Sequence, residues 1–297
     1  MAQEKLDWQS KLVLLAVVPF AAANAVFVCQ FWLNHQRAGE VVQIICLSAL
    51  LGVITWRLRA ATFAASATGA LITASLMFST ATFPDEPWHT ALVPILAVSL
   101  LAFGGTRVGR AKKERLGTAE TRKGRSASQV AANLGVATFV SSIFAQQWLV
   151  SSGLAYGGFA PPPVLTLGLA ALAEAAADTV SSEIGQVFSG QPRLITSLRP
   201  VMPGQNGAVS AAGTLAGTGA AAIVAGAGTW AVCGDWHLFA MSTAGGVFGM
   251  FFDSLLGATF EGWGWLNNDA VNFLSTASAS GLALLLLALT PHPGVVS

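Results

Sequence analysis

The chain has 297 residues, 54% of them hydrophobic and only 10% charged, and it carries a formal net charge of +1. Soluble domains carry about 25% charged residues, so this composition excludes a soluble enzyme or a soluble binding module. Hydrophobic runs of membrane-spanning length indicate an integral membrane protein, whose backbone must be hydrogen-bonded within helices in lipid. Cys29, Cys46 and Cys233 lie in apolar runs without metal-ligand spacing, and we predict no disulfide framework.

In chain order, the hydrophobic segments predict about nine helices, at residues 11–33, 41–56, 60–83, 88–103, 128–150, 164–188, 208–233, 238–260 and 270–289. The first segment is too long for the hydrophobic region of a signal peptide and is predicted to be a retained helix. We therefore predict an all-α, polytopic transmembrane helical bundle that forms one integral membrane domain over residues 1–297. Residues 1–103 supply N-terminal helices with few polar side chains, and residues 104–297 carry the motifs.

The segment 104–125 concentrates positive charge between two hydrophobic helices. Eight of the chain's fifteen Lys and Arg residues lie here against two glutamates, which gives a local net charge of +6. One interpretation is a topological anchor, because Lys and Arg are retained on the cytoplasmic side of membranes. The other is a phosphate-binding surface, in which glycines let backbone N–H groups approach an anion and cationic side chains supply charge. The cations expected to hold phosphate groups, including one from a later loop, are Arg107, Lys112, Lys113, Arg122, Lys123, Arg125 and Arg193.

The distribution of Lys and Arg also predicts which loops share a side of the membrane. With the basic loop in the cytoplasm, the loops at residues 104–127, 189–207 and 261–269 all fall on the cytoplasmic face, and so does the N-terminus. The acidic turn at residues 85–86 and the uncharged connection at residues 153–163 fall outside. We thus expect a protein of a bacterial-type inner (plasma) membrane, with its active site on the cytoplasmic face.

Carboxylates within predicted helices are costly in a membrane, so each is a candidate functional residue. The sixth helix carries Glu174 and Asp178, which are four residues apart and share one face. Glu183 is five residues beyond Asp178, about 140° around a regular helix. These two acids would share a ligand only if the helix breaks near Ser181, or else they meet different partners.

The eighth helix presents a stripe with four-residue spacing, formed by Gly245, Gly249, Asp253, Gly257 and Glu261. The glycines would let a neighbouring helix approach closely and would present Asp253 along the contact. Packing of small residues around one polar clamp produces the same pattern, and both interpretations remain open here. In the turn that follows, Asn268 and Asp269 fit helix capping as well as binding, whereas capping does not account for Asn272.

Carboxylate and amide oxygens are hard ligands that suit Mg²⁺, which usually binds one or two carboxylates together with water and substrate phosphates. The sequence therefore predicts a Mg²⁺ site at Asp178, Glu183 and Asp253. Cationic, glycine-rich loops beside such a site indicate phosphoryl chemistry on a lipid-like substrate at a membrane surface.

Several common signatures are absent from the sequence. There is no G-x-x-x-x-G-K-[ST] phosphate loop and no G-x-S-x-G element. The four histidines lie in predicted exterior turns or in the tail, which argues against a histidine-based catalyst. The basic loop has no aromatic residues to stack bases, so nucleic acid is not expected as a partner.

Four motifs occur in a characteristic order: Gly105-Thr-Arg-Val-Gly109, Asp178-Thr-Val-Ser-Ser-Glu-Ile-Gly185, Gly204-Gln-Asn-Gly-Ala-Val-Ser210, and Asp253-Ser-Leu-Leu-Gly-Ala-Thr259 with Asn267-Asn-Asp-Ala-Val-Asn272. Together they resemble an integral-membrane family that includes the plant chloroplast phytyl-phosphate kinase. The resemblance covers the chain from about residue 104 to the end of the ninth helix, and the earlier helices only loosely.

The resemblance implies an enzyme, a Mg²⁺-dependent kinase that uses a nucleoside triphosphate (CTP or another) to convert an isoprenoid monophosphate of phytyl or polyprenyl type into the diphosphate. An acceptor with a second phosphate pKa of about 6 is largely ionised at neutral pH, so it needs no strong general base. The site residues that the resemblance implies are Asp178, Glu183, Asn206, Gly207, Asp253, Asn268, Asp269 and Asn272.

Two other functions remain open at the level of sequence. A lipid-phosphate nucleotidyl transferase would release pyrophosphate in place of a nucleoside diphosphate. A transporter or flippase of phosphorylated lipids or ions would also use intramembrane acids and glycine-rich helices, although the inverted repeat expected of many transporters is not visible in this chain.

Overall fold

A computed structural model of the chain describes residues 6–81, 86–119, 124–152, 162–232 and 236–289, without the side chains of residues 162–164. Three of the predictions fall on positions outside these ranges. They concern the acidic turn at residues 85–86 in part, the uncharged connection at residues 153–163 except for its last two residues, and the cations Arg122 and Lys123.

Helices make up the described fold. They are α1 (Asp7–Asn34), α2 (Ala38–Arg57), α3 (Phe63–Thr80), α4 (Leu92–Arg107), α5 (Arg110–Leu116), α6 (Ala127–Val140), α7 (Ile143–Ser151), α8 (Pro162–Phe188), α9 (Ala211–Val232), α10 (Trp236–Leu256) and α11 (Asn268–Leu289). A π-helical turn, Gly257–Glu261, extends α10, and strands β1 (Arg193–Leu194) and β2 (Ala208–Val209) form an antiparallel pair.

The predicted all-α polytopic bundle is confirmed, and each predicted helix has a counterpart. Six of the described helices are long and apolar enough to cross a membrane, or up to eight spans if each of two bent pairs counts as one. The bent pairs are α4 with α5, at 66°, and α6 with α7, at 41°. On α1 and α2, large hydrophobic side chains such as Leu15 and Val42 remain exposed, as expected of helices that face lipid.

The prediction of one continuous fifth helix was wrong, because the chain breaks between α6 and α7. The Ser142 side chain accepts a hydrogen bond from the Ala145 backbone N–H, which caps a new helix. The buried side chain of Asn24 accepts a second bond from the Ile143 N–H and donates to Ser75 Oγ at 2.8 Å. Side chains distant in sequence therefore satisfy the backbone groups that the break frees.

Helix α8 lies at the centre of the bundle and packs against α4, α6, α7, α9, α10 and α11. Every residue from 165 to 177 is buried, so this segment contacts protein on all sides. Glycines bring α9 close to it: a Cβ atom at Gly213 would lie 2.7 Å from the Ser181 carbonyl oxygen, and one at Gly217 would lie 2.8 Å from that of Ala177. The acidic side chains of α8 are therefore held within a tightly packed core.

Three loops meet at the end of the bundle where α8 terminates. Within the basic loop, α5 begins after Gly109 and ends at Gly117, which both have positive φ. Gly204, in the loop between β1 and β2, packs against Thr118, and Gly207 in the same loop packs against Ala258 in the π-helical turn. The loops that the charge pattern assigned to one face are thus in mutual contact, while the side of the membrane on which they lie stays a prediction.

Candidate functional site

The deepest acid of the site is Glu174 on α8, whose side chain is 1% exposed. Its side chain packs against the glycine stripe of α10, so closely that a Cβ atom at Gly249 would overlap Glu174 Cγ. The Ser275 hydroxyl of α11 lies within reach of the carboxyl groups of Glu174 and Asp253. The stripe therefore both packs closely and makes room for a buried carboxylate.

One turn further along α8, the carboxyl group of Asp178 lies within hydrogen-bonding reach of Asp253 on α10. Two carboxyl groups this close favour a shared proton or a bound cation, because like charges repel. Asp253 Oδ2 and Glu174 Oε1 are buried and have no hydrogen-bond partner among the described residues. These unsatisfied oxygens are acceptors that a cation would satisfy.

The π-helical turn brings a fourth acid towards this pair. Glu261 interacts electrostatically with Asp178 and Asp253, and its carboxyl group is within hydrogen-bonding reach of Asn206. Asn206 is held there because Gly207, at φ +74°, lets the loop lie against the turn, where a Cβ atom would be 2.5 Å from the Ala258 nitrogen. The two loop residues expected at the site are thus next to its acids.

A polar cavity of about 480 Å³, which includes space open to the exterior, lies on the loop side of Asp178. We call it the acidic cavity. Its lining residues come from α6, α8, α11 and the segment before α6, and they are Arg125, Gln129, Asn133, Asp178, Thr179, Ser182, Glu183, Asn268 and Asn272. Asp178 is the residue that lines this cavity and also contacts Asp253.

Arg125 is fixed beside the acids by its backbone. Its N–H donates to the Ala60 carbonyl and its own carbonyl accepts from the Thr62 N–H, each at 3.0 Å. Its guanidinium group donates to Thr179 Oγ1 at 3.3 Å and attracts the Asp178 carboxylate. The guanidinium group of Arg125 lines the acidic cavity, and its planar fork of donors suits the geometry of a phosphate group.

Lys113 and Glu183 form a buried ion pair with each other. Lys113 is fully buried, and its ammonium group donates to Glu183 Oε2 and, at 2.7 Å, to the Gly105 carbonyl. Lys113 is not among the lining residues of the acidic cavity, and the Glu183 carboxylate already has a cationic partner. This buried pair fastens α5 to α8, a use that the sequence prediction of phosphate and metal ligands did not anticipate.

Among the described residues, no group of three or more His, Cys, Asp or Glu side chains is arranged to hold a metal ion. Of the predicted trio, Asp178 lies next to Asp253, whereas Glu183 binds Lys113, and a Mg²⁺ site at these residues stays a prediction. Two carboxylates still fit Mg²⁺, which commonly completes its coordination with water and substrate phosphates. The unpartnered Oδ2 of Asp253 agrees with that fit.

The other predicted cations of these loops have local partners. Lys112 is exposed and donates to the Val187 carbonyl at 2.6 Å. Arg193 is also exposed and donates to a carbonyl of its own hairpin at 2.8 Å. Neither lines the acidic cavity, and Arg122 and Lys123 lie outside the described residues.

The site residues predicted at the start of α11 lie in different environments. Asn268 and Asn272 line the acidic cavity, whereas Asp269 is buried. The capping role belongs to Asn267, whose side-chain oxygen accepts from the Ala270 N–H at 2.9 Å. Asn272, which capping could not explain in the sequence, is thus placed at the cavity.

A second cavity, which sequence reasoning missed, lies between α2, α3, α4, α6 and α8. Its volume is about 1090 Å³, including open space, and its walls are mainly small and apolar side chains. Four arginines line it: Arg59, Arg107, Arg110 and Arg125. We call it the arginine-lined chamber, and it shares Arg125 and Asn133 with the acidic cavity. The available signal was the set of small residues on α2 and α3, including Gly52 and Gly69.

A family model described as integral membrane protein DUF92 matches residues 46–280. This chain belongs to that family. An uncharacterized membrane protein of Methanocaldococcus jannaschii is 33% identical over 197 residues, which cover 66% of this chain and 75% of the relative. An uncharacterized membrane protein of Synechocystis is 32% identical over 204 residues, covering 66% and 73%.

A plant member of the family also aligns with this chain. Protein VTE6, chloroplastic, of Arabidopsis thaliana is 31% identical over 196 residues, which cover 65% of this chain and 57% of VTE6. The family resemblance inferred from the four motifs is confirmed. No solved structure matches this chain.

Proposed function

We propose that this protein is a membrane kinase that transfers a phosphoryl group from a nucleoside triphosphate to an isoprenoid monophosphate, giving the diphosphate. The observation that carries the proposal is the contact between Asp178 and Asp253 at a cavity that also holds the anchored Arg125. Membership of the family that the four motifs resemble, which includes the plant phytyl-phosphate kinase, supports the same chemistry.

The reaction joins two anions, so the principal barrier that the protein must lower is their electrostatic repulsion. An oxygen of the acceptor monophosphate attacks the γ-phosphorus of the donor, and the bond between that phosphorus and the β-phosphate oxygen breaks. A nucleoside diphosphate leaves. The acceptor is already ionised, so no side chain has to remove a proton, and the carboxylates and amides that line the site suit such a reaction.

Arg125 would hold the acceptor phosphate, because its backbone is held beside the site by two hydrogen bonds and its guanidinium group, which donates to Thr179 Oγ1, lines the acidic cavity. Asn268 and Asn272 would donate amide N–H groups to phosphate oxygens from the opposite wall. Asp178 and Asp253 would hold Mg²⁺, with Glu174 and Glu261 nearby as further acids. A bound metal ion would supply positive charge that offsets the repulsion between the phosphates.

Transport is a second candidate, and the buried carboxylate of Glu174 favours it. An acid that is 1% exposed in the middle of a helical core is a feature of ion and proton pathways. Glu174 is also adjacent to the proposed metal ligands, so its position fits a transporter and a kinase equally well. Analysis of the reaction products distinguishes the two functions.

The test uses purified protein in detergent with Mg²⁺, a panel of isoprenyl monophosphates and each of the four nucleoside triphosphates, with both products identified by mass spectrometry. We expect isoprenyl diphosphate and a nucleoside diphosphate. A nucleotidyl-lipid with pyrophosphate would establish the transferase instead. No turnover by folded protein with any pair would reject the kinase and leave transport as the candidate.

The matched variants are Asp178→Asn and Glu86→Gln. Asp178 contacts Asp253, whereas Glu86 is an exposed acid that does not line either cavity. Both changes remove one negative charge with little change in shape. Turnover should be lost in Asp178→Asn alone, and equal turnover in the two variants would refute the assignment of the site.

A further inference from the structure

The arginine-lined chamber has apolar walls and a cationic end. Its lining runs from Ala61, just before α3, to Thr73 within that helix, and along α4 from Arg107 to Ile95. The stretch of α4 covers twelve residue steps, which correspond to about 18 Å of helix. The four arginines all come from one end of these helices or from the segments joined to them. The chamber is therefore elongated, with charge at one end and hydrocarbon at the other.

The three threonine hydroxyl groups along the walls donate to backbone carbonyl groups. Thr73 Oγ1 donates to the Gly69 carbonyl at 2.7 Å, and Thr55 Oγ1 donates to the Gly52 carbonyl at 2.9 Å. Thr106, near the cationic end, donates in the same way to Phe103. Because these groups bond to their own helices, the wall presents mainly hydrocarbon to whatever occupies the space.

The cationic end carries more positive charge than its neighbours neutralise. Of its four arginines, Arg110 is the one with a salt bridge in the described part of the chain, to the exposed Glu114 at 3.0 Å. Arg107 stacks over the Phe103 ring at 3.7 Å. Arg125 reaches from this end into the acidic cavity. An anionic group on an apolar occupant would match this charge and would lie next to Asp178.

We propose that the arginine-lined chamber binds the hydrocarbon tail of a single-chain lipid monophosphate, whose phosphate lies at Arg125. The N-terminal helices α2 and α3, with α4, would thereby set the chain length of the substrate. This inference rests on the proposed function for the identity of the substrate. The binding of the tail is measured independently of turnover.

Gly69→Leu tests the chamber by filling it. A Cβ atom at Gly69 meets one neighbour, Val130 Cγ1, at 3.7 Å, so the larger side chain would enter the chamber without displacing the backbone. Gly281→Leu is the matched control, because Gly281 lies within a helix, faces the exterior and has no atom within 4 Å of its added Cβ. Ala102→Leu fills the chamber from α4 and serves if Gly69→Leu does not fold.

Native mass spectrometry would measure binding of isoprenyl monophosphates of increasing length, with phosphatidic acid as the two-chain comparison. We expect Gly69→Leu and Ala102→Leu to weaken binding of long chains by about tenfold or more, since each excluded methylene loses its burial. Binding of short chains should be retained, and Gly281→Leu should behave as the unaltered protein.

The outcomes separate the two proposals. If binding depends on chain length, the filling variants abolish it and no turnover is seen, the chamber binds the tail as proposed and the kinase function is rejected. If both filling variants turn over substrate with an unchanged preference for chain length, the kinase function is supported and binding of the tail in the chamber is refuted. Preferential binding of phosphatidic acid, or no binding of isoprenyl monophosphates by the unaltered protein, would also overturn the proposed occupant.

Discussion

The acidic cavity and the arginine-lined chamber meet at Arg125, yet they are built in different ways. The acidic cavity is lined by amide, hydroxyl and carboxyl groups from α6, α8 and α11. The chamber is lined chiefly by small apolar residues of α2, α3 and α4. The first arrangement suits chemistry on charged groups, and the second suits recognition of a hydrocarbon. The two tasks are therefore assigned to different parts of the chain, and changes in one cavity should alter different kinetic constants from changes in the other.

The largest effect is expected from Asp253→Asn, which removes the acid paired with Asp178 of the acidic cavity and leaves the lining of the chamber unaltered. Loss of one carboxylate of the contacting pair should lower kcat by about 10²–10³-fold, because stabilisation of charge in the transition state is lost. The preference among isoprenoid chain lengths should not change. Steady-state kinetics with a short and a long monophosphate would check both statements, with Glu86→Gln as the control. An altered length preference with normal kcat would mean that chemistry and recognition of the hydrocarbon are not separated between the two cavities.

Lys113→Met should mainly affect stability. Breaking the buried ion pair leaves Glu183 without its cation and should cost about 3 kcal/mol, a fall in melting temperature of about 6–12 °C for a chain of this size. Thermal unfolding in detergent measures the shift.

Lys112→Met is the matched control for that prediction, because Lys112 is the neighbouring exposed residue and bonds only to a carbonyl that water also reaches. The double variant Lys113→Met/Glu183→Met should recover part of the loss, since the uncompensated charge is removed. Equal melting temperatures for Lys113→Met and Lys112→Met would show that the pair does not fasten α5 to α8.

Arg125→Gln should affect both cavities, because Arg125 lines both. Losing a charge-assisted hydrogen bond to the acceptor phosphate should reduce kcat/KM by about 10–100-fold. Arg125→Lys should restore part of the activity, since it keeps the charge but not the planar geometry of the guanidinium group. Binding of a lipid monophosphate should weaken in parallel. Loss of kcat with unchanged binding would assign Arg125 to the acidic cavity alone.

The sequence allowed the helices and much of the acidic site to be predicted, because these depend on local patterns. Long hydrophobic runs specify membrane helices, and the four-residue spacing of Gly245, Gly249 and Asp253 specifies one close-packed face. The contact of that face with α8 and α11 agrees with the prediction. Asn272 was identified because capping could not explain it, and it lines the acidic cavity.

What could not be predicted depends on residues distant in sequence. The pairing of Lys113 with Glu183 joins positions 70 residues apart, and neither residue type indicates the other as its partner. The break before α7 depends on Asn24, 119 residues from the N–H that it accepts. The arginine-lined chamber arises from the packing of α2, α3 and α4. The small residues of these helices fit close helix packing as well as a cavity, so they did not by themselves predict a binding site.

The smallest effect is expected from Arg110→Gln, at the exposed edge of the chamber. The Arg110 side chain is 41% exposed and already pairs with Glu114, so solvent and its partner both weaken its attraction for an anion. We expect KM for the lipid monophosphate to rise about two- to fivefold, with kcat unchanged and the effect reduced at high salt. Arg115→Gln is the control, because Arg115 is an exposed cation on the same helix that does not line the chamber. Equal KM values for the two variants would mean that the charge of Arg110 acts on the membrane surface in general, and would confine recognition of the phosphate to the more deeply placed arginines.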